Sequence, residues 1–380
     1  MKFVLAPDKY KGSLTGREFC NAAELGIRAV FPNAIVLKKP LADGGDGTLE
    51  VVRAYLNAKN CLAKVNDPLF RTIEAQYLYS EEKRVAFIEM SEASGHRLLQ
   101  PNELNCMETS TLGTGELILD AIAKGAQEIL LGIGGSATND GGMGMAQALG
   151  YRFLDSDGDT LLPIGKNLSK VATIISPQKS KIAAVQFKIA CDVNNPFHGP
   201  QGAAHVYAKQ KGASEEEIEL LDLGLEHFAT VVKKNLDINL QEISGAGAAG
   251  GLGGGAVAFL NGQLLSGIEL MKEIADFDDS IKGADWIITG EGKLDNQTLS
   301  GKTIKGVLES GKKYKVSVAA FCGIVELTLE EQQQLGITYA QSILKSFQSL
   351  DNAMASSFEN LVFAVFSFCN ALKNSEPKKL

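Results

Sequence analysis

Charged and hydroxyl side chains stand beside glycines in several short segments of this 380-residue chain, and such segments suit the binding of anions. The first spans residues 7–13, with the sequence PDKYKGS, and separates a short apolar run from a helix. Open α/β sheets place ligand sites at this kind of junction, and lysines and a hydroxyl near a helix N-terminus favour a phosphate or a carboxylate. A solvated turn with two surface lysines is the alternative. The binding candidates are Asp8, Lys9, Lys11, Gly12 and Ser13.

A second segment, residues 43–48 with the sequence DGGDGT, combines two carboxylates with three glycines. Asp43 and Asp46 suit a hard cation such as Mg²⁺ or the hydroxyl groups of a ligand. Gly44 and Gly45 allow a close approach of the backbone to that ligand. The alternative is a glycine-rich turn with Asp46 in the first turn of the next helix.

Two longer glycine-rich segments, residues 132–142 and 245–255, are further candidates. The first, GIGGSATNDGG, follows an apolar strand, so its backbone N–H groups can form a phosphate cradle. The second, GAGAAGGLGGG, resembles a flexible linker. Because alanine and leucine replace the serine of a linker, we expect a tight loop against a ligand or another backbone segment. The binding candidates in the first segment are Gly134, Gly135, Ser136 and Thr138.

Two strand ends provide candidate proton acceptors. Asp192 follows an apolar run, with Asn194 beside it as an orienting group. An Asx-turn before Pro196 is the alternative there. Asp295 stands downstream of the segment TGEG, whose binding candidates are Gly290, Glu291 and Gly292.

The sequence GKT at residues 301–303 supplies a further cation, Lys302, as a phosphate-binding candidate. The three residues match the end of a P-loop. Asn296 stands where that motif requires glycine, so the segment is not a Walker A motif.

The elements around these segments alternate between strands and helices, which predicts an α/β fold with parallel strands. Helices are expected to begin at capping boxes on Thr15, Ser214 and Thr328, each followed by glutamate three residues on. A further helix is expected over residues 352–372. Strands are expected at residues 3–6, 34–37, 72–79, 84–90, 129–133, 187–191, 203–208, 286–289, 316–321 and 338–343.

Composition argues against several classes of protein. Lys and Arg total 37 against 45 Asp and Glu, a net charge of −8, and no basic run occurs, so nucleic-acid binding is not expected. No apolar run approaches about 18 residues, so no membrane span is expected. The N-terminal apolar run is too short for a signal peptide. The six cysteines form no C-x-x-C pair, which fits the reducing cytoplasm.

Six segments, in this order, resemble those of the type I bacterial glycerate kinases: PDKYKGS, LADGGDGT, GIGGSATNDGG, CDVNNP, GAGAAGGLG and TGEG with the GK that follows. The resemblance covers essentially the whole chain. Asp46 stands where the family has glutamate, and it keeps the charge on a shorter side chain. Lys9 stands where serine is usual and adds a cation. Tyr10 replaces phenylalanine, and Lys209 replaces proline.

The resemblance implies ATP-dependent phosphorylation of D-glycerate, with 2-phosphoglycerate favoured over 3-phosphoglycerate as the product. It also implies two α/β domains. The first is a Rossmann-like parallel-sheet domain of residues 1–65 and 265–380. The second α/β domain, residues 66–264, is inserted into it, with the active site in the cleft. A homo-oligomer is left open.

Phosphoryl transfer requires cations around the transferring group and an aligned hydroxyl. We therefore expect Lys11 to take part in catalysis. We expect Mg²⁺ to neutralise the ATP phosphates with one or two carboxylates from Asp43, Asp46, Asp192 or Asp295, of which Asp43 and Asp46 are the named metal candidates. Asp192 is the first choice for accepting the glycerate hydroxyl proton, and Asp295 is the second. Which glycine-rich loop binds nucleotide and which binds glycerate stays open.

Two rival functions are considered. A non-catalytic sensor of a small carboxylate would not need several carboxylates and lysines on different strands. A dinucleotide-dependent oxidoreductase requires G-x-G-x-x-G after the first strand, and PDKYKGS occupies that position instead.

Overall fold

The structure is a computed structural model that describes residues 1–10, 12–42, 48–178, 182–295, 302–345 and 349–375. The strands, numbered along the chain, are β1 (Lys2–Leu5), β2 (Ile35–Lys38), β3 (Lys59–Asn66), β4 (Thr72–Ser80), β5 (Val85–Glu89), β6 (Glu128–Gly132), β7 (Arg152–Leu154), β8 (Thr173–Ile175), β9 (Gln186–Ala190), β10 (Gln263–Leu265), β11 (Trp286–Thr289), β12 (Lys293–Leu294), β13 (Ser317–Cys322), β14 (Ile324–Val325) and β15 (Tyr339–Ser342). The helices are α1 (Gly16–Val30), α2 (Thr48–Leu56), α3 (Ser91–Ser94), α4 (Leu112–Ala123), α5 (Met143–Ala148), α6 (Ala203–Tyr207), α7 (Glu215–Leu236), α8 (Leu252–Leu260), α9 (Gly267–Ile274), α10 (Phe277–Ile281), α11 (Lys302–Tyr314), α12 (Leu329–Leu335), α13 (Leu350–Ala355) and α14 (Ser357–Ser375).

The chain divides into two compact units, Met1–Tyr55 with Gly267–Leu380, and Leu56–Ser266. The sequence analysis places the first boundary after residue 65, whereas the structure places it before β3. The reason is that β3 pairs antiparallel with β4 along its whole length, from Lys59↔Tyr79 to Asn66↔Thr72. Only Ala63 and Val65 of β3 are buried, so its apolar pattern is too weak to identify a strand from sequence.

In the described part of the first unit, a five-stranded parallel sheet has the order β15-β13-β11-β1-β2. Side chains alternate between its two faces. Phe3 and Leu5 of β1 pack in one apolar layer with α1 and α14, and Val4 packs in the other with α10 and α11. Helices on both faces of a parallel sheet make this unit Rossmann-like, and they leave the carboxyl ends of the strands at one edge.

The described part of the second unit contains a six-stranded sheet in the order β10-β9-β6-β5-β4-β3. Strands β10, β9, β6 and β5 are parallel, and β4 runs antiparallel to both of its neighbours. One continuous apolar core covers a face of this sheet. It includes Ile88 of β5, Leu131 of β6 and Ile189 of β9, packed with Leu117 of α4 and Phe228 of α7.

The three capping boxes expected from sequence are confirmed. Thr15, Ser214 and Thr328 are the N-caps of α1, α7 and α12, and each side chain accepts a hydrogen bond from the backbone N–H three residues on. In each box the glutamate at that position also accepts a hydrogen bond from the N-cap backbone. This reciprocal pairing satisfies two otherwise orphaned N–H donors, so the helix start is encoded locally.

One expected strand is wrong. Residues 203–208 form the short helix α6 instead, with Gly202 as its N-cap. The helix places Ala203 and Ala204, both fully buried, in the core beside α7. A run of small apolar residues fits a buried strand and a buried helix equally well, and packing decides between them.

The expected C-terminal helix is present as two helices, α13 and α14, which meet at Ser356. No helix among the described residues is both long and apolar enough to cross a membrane.

Candidate active site

Asp8 lies at the carboxyl edge of the first unit's sheet, where the chain leaves β1. Its backbone N–H donates to the carbonyl of Gly290, which follows the neighbouring strand β11, at 3.0 Å. Its carboxylate accepts hydrogen bonds from the Thr303 hydroxyl at 2.7 Å and from the Lys9 backbone at 2.7 Å. Thr303 is buried in the first turn of α11. The fold therefore brings two of the predicted segments together and fixes the Asp8 carboxylate.

The segment Gly290–Gly292 is held against the end of β13. A Cβ at Gly290 would lie 1.9 Å from the carbonyl oxygen of Phe321, so only glycine fits there. The carbonyls of Glu291 and Gly292 accept hydrogen bonds from the backbone N–H groups of Gly323 and Ile324 at 3.2 and 3.1 Å. These contacts hold TGEG at the sheet edge next to Asp8.

Tyr10 is buried behind the same edge and donates a hydrogen bond to the carbonyl of Phe321. Burial is the main cause that raises the pKa of its phenol well above the ordinary value, and the nearby Cys322 and Glu291 add to the shift. Tyr10 therefore stays protonated and anchors the first loop.

Asp295, the second-choice proton acceptor, forms an ion pair with Lys293 at 3.0 Å. Lys293 also pairs with Glu326 at 2.8 Å. An ammonium group at this distance stabilises the carboxylate and competes with a substrate hydroxyl for it. Asp295 is therefore held by a cation of its own segment.

Ser13 and Gly12 contact the C-terminal helices. Ser13 Oγ lies 2.6 Å from Ser357 Oγ and 3.2 Å from the carbonyl of Met354. Gly12 has a φ of +76°, and a Cβ there would lie 2.6 Å from Met354 Cε. Both residues therefore have a structural role in closing the loop onto α13 and α14.

Several predicted site residues lie outside the described part of the chain. They are Lys11, Asp43, Gly44, Gly45, Asp46 and the side chain of Lys302.

In the second unit, the segment that follows β6 is fixed by the residues that follow β5. The backbone N–H groups of Met90 and His96 donate to the carbonyls of Gly132 and Gly135 at 2.9 and 3.0 Å. Ala137 N–H donates in turn to the carbonyl of Ser94 at 2.9 Å. The predicted binding residues Gly134, Gly135 and Ser136 thus lie at the carboxyl edge of a parallel pair, the usual place for a ligand in an open α/β sheet.

Lys211 forms hydrogen bonds with the glycine-rich segment after β6, and the sequence analysis did not identify it. Its ammonium group donates to Ser136 Oγ at 2.7 Å and to the carbonyl of Thr138 at 2.8 Å, and only 3% of the residue is exposed. Burial lowers its pKa to about 8, against the opposing influence of Cys106 and Asp140. A lysine in the polar run KQK has no pattern that distinguishes it from a surface lysine.

Asp140 is a second residue that the sequence analysis missed. Its fully buried carboxylate accepts hydrogen bonds from the Thr111 backbone (2.7 Å) and hydroxyl (2.8 Å), and from the backbones of Gly144 (3.1 Å) and Gly142 (3.2 Å). Burial raises its pKa, and these hydrogen bonds act in the opposite direction. Asp140 thus joins the starts of α4 and α5, and its carboxylate is engaged by the protein's own donors.

Thr138 and Asn139 carry buried polar atoms that have no hydrogen-bond partner within the described part of the chain. These atoms are Thr138 Oγ1 and both the Nδ2 and Oδ1 atoms of Asn139. Both residues are fully buried. Buried polar groups are normally satisfied, so these atoms require a water molecule or a ligand group. The observation supports Thr138 as a binding candidate.

The segment at residues 245–255 is a packed loop and not a linker. Gly250 accepts a hydrogen bond from Gly141 N–H at 3.0 Å, and Gly247 N–H donates to the carbonyl of Asn195 at 3.0 Å. Gly250 has a φ of +69°, and a Cβ there would lie 2.0 Å from the carbonyl oxygen of Thr138. Three predicted segments, at residues 132–142, 191–196 and 245–255, therefore meet in this unit.

Asp192 stands two residues beyond the end of β9, beside β6. Ala190 is paired with Gly132 in the sheet, and Asp192 is half-buried. Asn194 Oδ1 accepts a hydrogen bond from the Ser244 hydroxyl at 3.2 Å. Asn195 is tied to Tyr207 OH at 2.6 Å and to the carbonyl of Gln201 at 2.8 Å. The asparagines thus stabilise the turn that carries Asp192.

The described residues contain no group of three or more His, Cys, Asp or Glu side chains arranged to hold a metal ion. The carboxylates expected to contact Mg²⁺, Asp43 and Asp46, lie outside those residues. Their hard oxygen donors are the type that Mg²⁺ prefers, and Mg²⁺ commonly uses only one or two carboxylates together with substrate phosphates. The donor set is therefore compatible with that ion.

Comparisons with known proteins cover nearly the whole chain. The family model described as "Glycerate kinase family" matches residues 3–373. The chain is 44% identical over 352 residues to a glycerate kinase of Halalkalibacterium halodurans, covering 92% of this chain and 93% of the relative. It is 40% identical over 375 residues to the glycerate 2-kinase of Escherichia coli, covering 98% and 97%. A crystal structure of a protein assigned as glycerate kinase 2 from Salmonella typhimurium LT2 matches with a TM-score of 0.85 and 37% identity, over 99% of each chain.

Proposed function

Because the chain belongs to the glycerate kinase family, we propose that it transfers the γ-phosphoryl group of ATP to a hydroxyl group of D-glycerate. The observation that supports this most strongly is the family match over residues 3–373, together with relatives of 40–44% identity that are named for this activity. Enzymes of this family are phosphotransferases with an alcohol group as acceptor. Within each unit, glycine-rich backbone at the carboxyl edge of a parallel sheet suits the binding of phosphate groups.

The product in this proposal is 2-phosphoglycerate. A relative that is 40% identical over 98% of this chain bears the name glycerate 2-kinase, which supports the 2-hydroxyl as acceptor. The 3-phosphate is the alternative product.

Asp192 acts in this scheme as the acceptor of the glycerate hydroxyl proton. It is half-buried and follows β9, whose last residue Ala190 is paired with Gly132 at the start of the glycine-rich segment. The hydroxyl oxygen forms a bond to the γ-phosphorus while the bond from that phosphorus to the β,γ-bridging oxygen breaks, and ADP leaves. Lys11 and Lys302 serve as cations for the phosphate oxygens, a role that phosphoryl transfer requires.

When bound, Mg²⁺ would neutralise charge on the ATP phosphates, with Asp43 and Asp46 as its protein contacts. The fixed carboxylate of Asp8, held by Thr303, orients the loop that leads to Lys11. A cytoplasmic location also belongs to this proposal. All six cysteines are free thiols, which suits a reducing compartment.

Incubation of the purified chain with ATP, Mg²⁺ and D-glycerate tests the proposal, with ³¹P NMR as the readout. We expect ADP and a phosphate ester coupled to the single proton on C2. Glycerol, which lacks the carboxylate, is the matched control and should react far more slowly. If D-glycerate binds but no ester forms, the chain is a sensor of small carboxylates and the proposal is wrong.

A further inference from the structure

Glu89, the last residue of β5, lies at the same sheet edge as Asp192. In the register of the sheet, Glu89 is paired with Gly132 of β6, and Gly132 is paired with Ala190 of β9. Since β6 lies between β5 and β9, the backbones of Glu89 and of the β9 end are roughly 10 Å apart, which is two strand spacings. Glu89 and Asp192 therefore belong to the two strands that neighbour β6, Glu89 at the end of β5 and Asp192 two residues beyond the end of β9.

The Glu89 side chain stands on the face of the sheet opposite to the apolar core. Its neighbour Ile88 packs into that core, and successive side chains of a strand alternate between faces. The Glu89 Cγ atom lies 3.7 Å from the position that a Cβ would take at Gly132. The side chain is thus next to the first glycine of the predicted phosphate cradle, where the absence of a side chain on β6 leaves room.

Glu89 is half-buried, and within the described ranges its carboxylate forms no hydrogen bond or ion pair. Burial raises the pKa of its carboxyl, and the charge of Arg97 acts against this shift. Arg97 is itself bonded to Glu92, so it does not neutralise Glu89. The other titratable groups near this edge are His96, which is bonded to the Gly135 carbonyl, and Asp192. A partly desolvated carboxylate without a partner costs stability, which indicates that a ligand supplies the partner.

We propose that Glu89 is a specificity-determining residue that accepts a hydrogen bond from the hydroxyl group of the acceptor that is not phosphorylated. This inference rests on the proposed function. Glycerate has two hydroxyls on neighbouring carbons, and the edge offers one carboxylate to each: Asp192 to the reacting hydroxyl and Glu89 to the other. No covalent change occurs at Glu89. The ligand class that the site selects is a small acid with two neighbouring hydroxyls.

The physical reason for selectivity is the burial of Glu89. An acceptor that lacks the second hydroxyl leaves the carboxylate desolvated and unpaired, and sites built to bond a hydroxyl reject such analogues. Hydrogen bonds to charged groups are worth a factor of roughly 10 to 100 in rate or affinity. Protonation of Glu89 weakens its acceptor strength, so the preference should decline as the pH falls through its raised pKa.

The test compares kcat/KM for D-glycerate and D-lactate, which differ by the second hydroxyl, in the wild-type chain and in Glu89→Gln and Glu89→Ala. We expect the wild-type chain to prefer D-glycerate by at least roughly 10-fold. Both variants should lose most of that preference because their kcat/KM for D-glycerate falls. The D-lactate value should change little. Glu128→Gln is the matched control and should keep the preference, because Glu128 lies at the opposite end of β6 and is paired with Lys188 at 2.8 Å.

An unchanged ratio in both Glu89 variants, or a wild-type chain that does not discriminate between the two acids, overturns the inference. A pH profile adds a second readout, since the ratio should decline toward acid in the wild-type chain and stay flat in Glu89→Ala. Failure of the proposed function looks different, because the wild-type chain would then phosphorylate neither acid. In that case, calorimetry measures the binding of D-glycerate and of D-lactate and gives the same comparison without turnover. The role of Glu89 is overturned if the ratio of the two affinities is the same in the wild-type chain and in both Glu89 variants.

Discussion

The ammonium group of Lys211 donates a hydrogen bond to the hydroxyl of Ser136, 75 residues earlier in the chain, at 2.7 Å. A second bond, to the carbonyl of Thr138 at 2.8 Å, fixes the same segment from the same nitrogen. A buried cation that is hydrogen-bonded to a glycine-rich turn fixes the conformation of the turn and adds positive electrostatic potential to it. That arrangement would make the segment after β6 an anion-binding loop.

Lys211→Met should change the pH dependence of stability. The pKa of Lys211 is lowered to about 8 in the folded chain, from an ordinary value of 10.5. Between these values the unfolded chain binds more protons, so the contribution of Lys211 to folding grows as the pH rises. Urea unfolding at pH 7.5 and 9.5 should show the advantage of the wild-type chain over the variant increasing by roughly 2 kcal/mol. Lys209→Met, an exposed control paired with Glu215, should show no such increase.

Asp192→Asn should lower kcat by at least roughly 10²-fold, the range expected for loss of a general base. The circular dichroism spectrum and melting temperature should stay near those of the wild-type chain, since the side chain is only half-buried. Asp237→Asn is the control, because Asp237 is exposed and paired with Lys233 at 2.8 Å. Near-normal turnover in Asp192→Asn would transfer the role to Asp295.

Thr303→Val should release the Asp8 carboxylate from the bond at 2.7 Å. The hydroxyl is buried, so its loss should cost about 1 kcal/mol of stability and lower kcat/KM through the displaced loop. Thr303→Ser keeps the hydroxyl and should retain activity within a few-fold of the wild-type chain. Equal activities of the valine and serine variants would show that this hydrogen bond has no part in the reaction.

Gly250→Ala should prevent folding or cost more than roughly 3 kcal/mol, because the added Cβ would lie 2.0 Å from the carbonyl oxygen of Thr138. Gly158→Ala separates this clash from the effect of a positive φ alone. Gly158 has a φ of +88° with no atom within 4 Å of the added Cβ, so we expect a cost of about 1–2 kcal/mol. Thermal unfolding of the two variants makes the comparison, and equal costs would contradict the packed position of the 245–255 loop.

The sequence by itself determined the features that depend on neighbouring residues. The capping boxes at Thr15, Ser214 and Thr328 are correct because a cap is made by two side chains and a backbone within one helical turn. Most strands were correct because apolar runs bounded by turn residues are local signals, and the ordered motifs identified the family. The strand predicted for residues 203–208 was wrong, because a short apolar run does not distinguish a buried helix from a buried strand.

Only the tertiary structure decided which distant residues contact each loop. The sheet register pairs Glu89 with Gly132, and core packing brings Lys211 within hydrogen-bond distance of Ser136. Pairing with β4 includes β3 in the second unit, although its own sequence gives a weak signal. The physical reason is that burial and register arise from contacts between segments far apart in the chain. The same lysine, glutamate or apolar run is therefore exposed, paired or buried according to what the rest of the fold brings against it.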